Sequence, residues 1–287
     1  MSSPSSAETL SAFAVGVTAE RRADQQVRFL RSRGAAVEHA PVLRTVDHAE
    51  RPEVITAGIA MIEQPPDVLV VQTGQGFRWW LAAIGEELTP ALVASLQRTT
   101  IWCRGIKASS ACRSVGLDVA WQAPGESTAD VIAHLQATDL SSMRVAIQMD
   151  GNNDRSIVSA ASAAAEVVSL DVYQYRLPAD LAPALALVDA VISGRLHAVT
   201  FTASPAIRQL REIAAAAGRG SALDQAFEDQ CIAAVVGPVC SATARDAGWT
   251  RVIEPQRARL IPMLETLEAA LTSSSPPSPA PAKPGCT

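Results

Sequence analysis

The chain has 287 residues, of which 48% are hydrophobic, and this composition suits globular domains with buried cores. The net charge of −5 argues against nonspecific nucleic-acid binding, and no apolar run is long enough to span a membrane. The five cysteines form no C-x-x-C pair, and no two of the four histidines have ligand spacing. We therefore expect no metal site, buried thiols and a reducing cytoplasmic location.

The N-terminal part predicts a strand, a helix and a long extended segment. Residues 1–11 are Ser-rich and predicted to be disordered. A secretion signal would require a basic segment near its start, but no Lys or Arg precedes Glu20. A strand is predicted over 14–18, a helix over 24–33 ended by Gly34, and an extended segment over 35–46. The same pattern returns as a strand at 143–149, a helix at 154–165 and an extended segment at 166–177.

A second, longer pattern also occurs twice. VLVVQTGQGFRWWL (68–81) and AVTFTASPAIRQL (198–210) each predict a buried strand, a small polar turn and one amphipathic helix. Each is followed by a short strand, a glycine turn and a helix that a second glycine ends. The glycines are 105 and 116 in the first copy, and 237 and 248 in the second. Strands that alternate with helices in this way predict parallel, doubly wound sheets.

These segments can be grouped in two ways. Either each short pattern joins the long pattern after it, or the outer segments form one domain and the inner segments another. The second grouping needs two chain crossings, near 45–52 and 176–182, where Pro52 and Pro178 suit turns. A closing helix is predicted over 260–271, and the Pro/Ser-rich tail 272–287 is predicted to be disordered.

The turns after the strands are the candidate binding elements. A turn that leads from a strand into a helix presents free backbone N–H groups, which attract anions. Arg104 and Lys107 add two cations to one such turn, although a solvated surface turn is the alternative. Polar side chains at the other turns are either ligand donors or helix caps, and Ser204 is the predicted N-cap before Pro205.

Tyr173 and Tyr175 are the two tyrosines of the chain. Because they are two residues apart on a predicted strand, they face the same side. A phenol there can donate a proton to a ligand, and cross-strand packing is the alternative role.

Six segments together resemble the uroporphyrinogen-III synthase family. They are VGVTAERRADQQVRFLRSRGAAVEHAP (15–41), VLVVQTGQGFRWWL (68–81), RGIKASSACRSVGL (104–117), VYQYRLP (172–178), DAVISGRLHAVTFTASPAIRQL (189–210) and VVGPVCSATARDAGW (235–249). The resemblance implies two doubly wound α/β parallel-sheet domains joined by a two-stranded linker. Domain one would comprise 12–46 plus 178–271, and domain two 50–173, with a binding cleft between two similar halves.

The resemblance also implies an activity. Enzymes of this family are cyclising hydro-lyases that close linear hydroxymethylbilane into uroporphyrinogen III, with inversion of ring D, in haem, sirohaem and cobalamin biosynthesis. They use no metal or cofactor, and the substrate carries eight carboxylates. The alternative is a non-catalytic regulatory module of the same fold that senses a tetrapyrrole or another polyanion. In either case we expect a monomer that binds no nucleic acid and no membrane.

The resemblance assigns site residues as well. Tyr173 is the candidate acid. The residues expected to bind the substrate are Thr18, Arg21, Arg22, Thr73, Gln75, Arg104, Lys107, Thr202, Ser204, Gly237 and Cys240.

Overall fold

The computed structural model describes residues 9–49, 51–152 and 154–273. The chain divides into two compact units. Unit 1 contains the described residues up to Arg44 and from Leu177 onward, and unit 2 contains those of Thr45–Arg176. Unit 1 is therefore built from both ends of the chain and unit 2 from its middle.

Strands and helices alternate along the whole described chain. The first elements are β1 (Ala14–Val17), α1 (Ala23–Ser32), β2 (Ala36–His39), β3 (Arg44–Asp47), α2 (Pro52–Glu63), β4 (Val68–Val71), α3 (Gly74–Ile84), α4 (Thr89–Leu96), β5 (Thr100–Cys103), α5 (Ile106–Arg113), β6 (Trp121–Gln122) and α6 (Thr128–Ala137). They are followed by β7 (Arg144–Gln148), α7 (Ser156–Ala160), β8 (Glu166–Leu170), β9 (Tyr173–Arg176), α8 (Ala182–Ile192), β10 (Ala198–Phe201), α9 (Ser204–Ala216), α10 (Gly220–Asp229), β11 (Ile232–Val235), α11 (Pro238–Asp246), β12 (Val252–Ile253) and α12 (Leu260–Ser273).

Each unit contains a five-stranded sheet in which neighbouring strands are parallel. The order is β12-β11-β10-β1-β2 in unit 1 and β6-β5-β4-β7-β8 in unit 2. In both sheets, three strands of the longer sequence pattern lie beside two strands of the shorter pattern. The two units therefore share one topology, and the outer segments of the chain form one sheet while the inner segments form the other.

The central strands are buried on both faces because helices cover both sides of each sheet. All four residues of β4 (VLVV), β10 (AVTF) and β11 (IAAV) are buried. In β4, Leu69 and Val71 belong to one hydrophobic cluster, whereas Val68 and Val70 belong to another. This alternation follows from the two-residue period of a strand, and continuous apolar strands are typical of parallel sheets with helices on both faces.

A separate two-stranded sheet is formed by β3 and β9, which lie where the chain passes from one unit to the other. Together with the two five-stranded parallel sheets, this pair confirms the predicted fold class, two doubly wound α/β sheets with a two-stranded linker. His48, directly after β3, donates its backbone N–H to the carbonyl of Val172 at 2.7 Å.

His48 predicts an acid-sensitive stability. Burial, and then the cations of Arg51 and Arg176, lower the pKa of His48 below its ordinary value of 6.5, although Asp171 and Asp47 oppose the shift. The folded state therefore keeps the ring neutral to a lower pH than the unfolded chain does, and stability present above pH 6.5 is lost as the pH falls through the lowered pKa of the folded state. We expect His48→Gln to flatten the fall of the urea midpoint below about pH 6.5. An unchanged slope would exclude His48 as its source.

Two helix predictions are wrong. The helix expected over 154–165 is only Ser156–Ala160, because the Ala-rich remainder offers no large apolar side chains whose burial would stabilise it. The single helix expected after β4 and again after β10 is a pair in each case. The first pair is separated at Gly85 and the second at Gly218, whose φ angles of 88° and 71° do not continue a helix.

The extended segments and the tails also differ from the predictions. Residues 35–46 form β2 and β3 rather than one strand, since Pro41 between them has no N–H to donate. Helix α6 was not predicted. Leu10, expected in the disordered N-terminal tail, is fully buried in the core of unit 1, and α12 continues to Ser273. The remaining tail residues, 1–8 and 274–287, lie outside the described residues.

The repeated glycines end equivalent helices. Gly116 follows α5 with φ 83° and Gly248 follows α11 with φ 86°. Residues with a side chain rarely adopt this left-handed conformation, which ends a helix and satisfies its last carbonyls. Among the described helices, none combines the length and apolar character that crossing a membrane requires.

Candidate functional site

The two sheets reverse their winding at equivalent places. The reversal lies between β4 and β7 in unit 2, and between β10 and β1 in unit 1. Open α/β sheets bind ligands outside the carboxyl ends of their strands at such a point. The turns that follow these strands also lead into helices, whose first N–H groups favour anions. Each unit therefore has its own candidate binding edge.

In unit 2, Thr73 is fixed at the centre of this edge. It follows β4 and caps α3, and its Oγ1 accepts a hydrogen bond from the Gly76 N–H at 3.1 Å. The backbone N–H of Thr73 donates to Oε1 of Gln148 at 3.0 Å. Gln148 is the last residue of β7 and is fully buried. These bonds join the ends of β4 and β7, while the side chain of Thr73 stays partly exposed.

Two glycines bring α3 close to its neighbours. A Cβ at Gly74 would lie 2.1 Å from the backbone oxygen of Lys107, in the first turn of α5. A Cβ at Gly76 would lie 2.2 Å from Nε2 of Gln148. No side chain fits at either position without displacement. The N-termini of α3 and α5 therefore lie side by side, and both begin at the candidate binding edge.

Tyr173, the predicted acid, lies against Thr73. It is the first residue of β9, is only 5% exposed, and its hydroxyl donates to Thr73 Oγ1 at 3.3 Å. The ring of Trp79 packs edge-on against Tyr173, with 5.6 Å between the ring centroids. The structure thus brings together two residues that are 100 positions apart in the sequence.

Tyr175 lies on the same side of β9 as Tyr173, as predicted. The two ring centroids are 5.5 Å apart, and both rings contact Gly151. A Cβ at Gly151 would lie 2.5 Å from Cε2 of Tyr173 and 2.9 Å from Cδ2 of Tyr175. Burial raises the pKa of the Tyr175 hydroxyl, and the neighbouring Tyr173 and Asp150 raise it further. Tyr175 is therefore protonated throughout the neutral pH range.

Arg104 is already paired within unit 2. Its Nη1 donates to Oδ2 of Asp150 at 2.5 Å and to the hydroxyl of Thr128 at 3.2 Å. Asp150 is 8% exposed and also accepts from the backbone and side-chain nitrogens of Asn152. Much of the Arg104 charge is therefore neutralised. Lys107 lies in the first turn of α5 and is exposed at the same edge.

In unit 1, Thr18 holds strands together. It is fully buried, and its hydroxyl donates to the carbonyl of Thr200 at 2.7 Å. The hydroxyl of Thr200 in turn donates to Oε1 of Gln26, also fully buried, at 2.8 Å. The side chain of Thr18 thus joins β1 to β10 and presents no surface to a ligand. This placement contradicts the prediction that the Thr18 side chain binds substrate.

The turns after β10 and β11 lie next to each other in unit 1. Ser204 donates from its Oγ to Sγ of Cys240 at 3.6 Å, which joins the first turns of α9 and α11. Ser204 is not the predicted N-cap, because Ala203 occupies that position and Ser204 is the first helical residue. Gly237 precedes α11, and a Cβ there would lie 2.7 Å from Cβ of Ala258.

The remaining predicted residues lie at the same two edges. Arg21 and Arg22 are exposed immediately before α1, and Arg22 has a left-handed φ of 57°. Thr202 follows β10 and is partly buried. Gln75 is partly buried in the first turn of α3.

Sequence reasoning missed three residues that shape the unit 2 edge: Gln148, Asp150 and Gly151. Gln148 lies near the end of the strand predicted over 143–149, and Asp150 and Gly151 directly follow that strand. Their position at the end of a predicted strand was the available signal. Their partners Thr73, Arg104 and Tyr173 were not predictable, because each is far away along the chain.

The four described cysteines, 103, 112, 231 and 240, are buried, as predicted, while Cys286 lies outside the described residues. The sulfur atoms of Cys103 and Cys112 are 3.8 Å apart. Burial raises the pKa of Cys231. Across the described ranges, no three His, Cys, Asp or Glu side chains are grouped so that they could hold a metal ion.

Comparisons with known proteins agree with this architecture. The family model described as uroporphyrinogen-III synthase HemD matches residues 24–265. A relative, the Uncharacterized protein YjjA of Bacillus subtilis (strain 168), is 24% identical over 259 residues, which cover 88% of this chain and 94% of the relative.

Solved structures show a similar fold. A mutant uroporphyrinogen III synthase from the extremely thermophilic bacterium Thermus thermophilus has a TM-score of 0.76 and 24% identity, covering 91% of this chain and all of that one. The wild-type enzyme from the same organism has a TM-score of 0.66 at 24% identity, covering 91% of this chain and 98% of that one. With the family model matching most of its length, the chain belongs to the uroporphyrinogen-III synthase family.

Proposed function

We propose that this chain is a uroporphyrinogen-III synthase, which cyclises linear hydroxymethylbilane with inversion of ring D. The proposal rests on family membership and on one observation, the hydroxyl contact between Tyr173 and Thr73 at the switch point of unit 2. A hydro-lyase of this kind must protonate a leaving hydroxyl group. A phenol that is hydrogen-bonded to a partly exposed threonine offers a proton at the place where α/β sheets bind ligands.

The substrate's carboxylates suit the two binding edges. In unit 2, the first turns of α3 and α5 offer backbone N–H groups beside the exposed ammonium group of Lys107. In unit 1, α9 and α11 begin at neighbouring turns, and Arg21 and Arg22 are exposed before α1. We propose that the carboxylates bind through Arg21, Arg22, Gln75, Lys107, Thr202, Ser204, Gly237 and Cys240, with Arg104 as a partly neutralised contributor.

No step in this mechanism calls for a metal or cofactor. Loss of the hydroxyl group gives an electrophilic azafulvene, and Tyr173 is proposed to supply the proton that this loss requires. Fixed helix dipoles and the shape of the site then determine which ring carbon attacks. We propose that the chain performs this reaction in the cytoplasm as a monomer, with the linear tetrapyrrole as its partner.

The test is to supply purified protein with hydroxymethylbilane and to separate the product isomers. Spontaneous closure gives isomer I, so formation of isomer III above an enzyme-free control is the expected result. Isomer I alone, with tight binding of the tetrapyrrole, would instead favour the non-catalytic sensing module that the sequence leaves as the alternative.

The cations of the unit 2 edge give a separate prediction. We expect Lys107→Ala combined with Arg104→Ala to raise KM about two- to tenfold and to weaken its dependence on salt, because exposed charge contacts contribute about 0.2–1 kcal/mol each. Lys107→Ala alone should give most of the effect, since Asp150 neutralises Arg104.

The matched control is Arg98→Ala. Arg98 is exposed just before β5, at the opposite, amino end of the same sheet, and its replacement should leave KM unchanged. Equal KM values for the double variant and the wild type would show that Arg104 and Lys107 do not contribute to substrate binding.

A further inference from the structure

The position of the Tyr173 hydroxyl raises the question of how its proton reaches a ligand. Tyr173 is 5% exposed, with Trp79 packed against its ring and Gly151 beneath it. Its hydroxyl is directed at Thr73 Oγ1, 3.3 Å away. Thr73 is the more exposed member of this pair, and it stands at the carboxyl end of β4. A ligand at this edge therefore meets Thr73 before it meets the phenol.

The Thr73 hydroxyl group accepts two hydrogen bonds but donates none within the described residues. A hydroxyl group has two acceptor lone pairs and one hydrogen to donate. Thr73 Oγ1 accepts from the Gly76 N–H at 3.1 Å and from the Tyr173 hydroxyl. Both lone pairs are then occupied, and within the described residues no acceptor lies within hydrogen-bonding distance for its hydrogen. That hydrogen is oriented away from both donors.

We propose that Thr73 is the catalytic residue that protonates the leaving hydroxyl group, and that Tyr173 acts through Thr73 as a positioning and proton-supplying residue. This inference rests on the proposed synthase function and deepens it. The supporting observation is the hydrogen bond from the buried Tyr173 hydroxyl to the partly exposed Thr73 hydroxyl. This series of two hydroxyl groups connects the buried phenol to a ligand through the threonine.

In the proposed step, the carbon–oxygen bond of the hydroxymethyl group breaks and its electron pair leaves with the oxygen. The lone pair of the pyrrole nitrogen, delocalised through its ring, forms the exocyclic carbon–carbon double bond of the resulting azafulvenium ion. The leaving oxygen takes the Thr73 proton and departs as water, while Thr73 Oγ1 takes the Tyr173 proton and leaves a phenolate. The final ring closure releases one proton from the unsubstituted α carbon of ring D, and this proton restores Tyr173.

Four single variants and one double variant test the series by steady-state formation of isomer III. Thr73→Ser keeps the hydroxyl group, and Thr73→Val removes it. Thr73→Asn also removes it but keeps an oxygen that can cap α3, so it remains informative if Thr73→Val does not fold. Tyr173→Phe is measured both in the wild type and in the Thr73→Asn background.

We expect Thr73→Ser to stay within about threefold of wild-type kcat, and Thr73→Asn to lose about 10²-fold in kcat with little change in KM. Tyr173→Phe should lose roughly tenfold alone and nothing further in the Thr73→Asn background. The inference is overturned if Thr73→Asn keeps wild-type kcat, if its loss lies in KM, or if Tyr173→Phe causes the same loss in both backgrounds. If the wild type forms isomer III and any of these results is found, only the proton transfer from Tyr173 through Thr73 is refuted. If the wild type forms isomer I alone, the proposed synthase function is refuted as well.

Discussion

Gly74→Ala is expected to lower the free energy of unfolding by about 1–3 kcal/mol, the range for overpacking a close contact. The new Cβ would lie 2.1 Å from the backbone oxygen of Lys107 and 2.8 Å from its carbonyl carbon. A backbone atom cannot move aside by changing rotamer, so α3 and α5 must separate. Urea unfolding followed by circular dichroism measures the loss.

Gly220→Ala is the matched control for this substitution. Gly220 is also the first residue of a helix, α10, but a Cβ there would meet only Ala215, at 3.4 Å or more. Its replacement should leave stability unchanged or raise it by up to about 1 kcal/mol, because alanine restricts the unfolded chain. Equal unfolding midpoints for the Gly74 and Gly220 variants would show that α3 and α5 are not in this close contact.

Gly151→Ala is expected to reduce kcat by up to about 10²-fold, the loss that a misplacement of about 1 Å can cause at a reacting group. Its Cβ would lie 2.5 Å from the ring of Tyr173 and 2.9 Å from that of Tyr175, so both rings must shift. The Tyr173 hydroxyl would then leave Thr73 Oγ1. Isomer III formation measures the effect.

The specific expectation is that Gly151→Ala impairs catalysis more than Tyr173→Phe does, because it displaces both phenols rather than removing one hydroxyl group. Gly220→Ala again serves as the control, with wild-type kcat. A Gly151→Ala variant with wild-type kcat and a wild-type unfolding midpoint would show that the tyrosine positions do not matter for the reaction.

The sequence predicts the architecture of the sheets well, because parallel strands buried on both faces leave continuous apolar runs such as β4 and β10. The paired glycines at 116 and 248 also mark true helix ends, since their positive φ angles require glycine. Breaks inside helical stretches, at Gly85 and Gly218, were less visible, because an isolated glycine is compatible with a helix pattern.

The site is predictable only in part. The turn residues are recognisable because they follow strands, and Thr73 lies where a capping and binding residue was expected. The pairing of Arg104 with Asp150, 46 residues apart, depends on which strands become neighbours, and a local pattern contains no such information. The burial of Thr18 has the same cause, since its partner Thr200 lies on a strand from the other end of the chain.

The most direct measurement of the central claim is the ratio of uroporphyrinogen isomers formed from hydroxymethylbilane as the protein concentration is raised. The account predicts that isomer III rises with protein concentration until it replaces isomer I, and that Thr73→Asn needs about 10²-fold more protein for the same rise. A ratio that stays at the enzyme-free value at every protein concentration would contradict it.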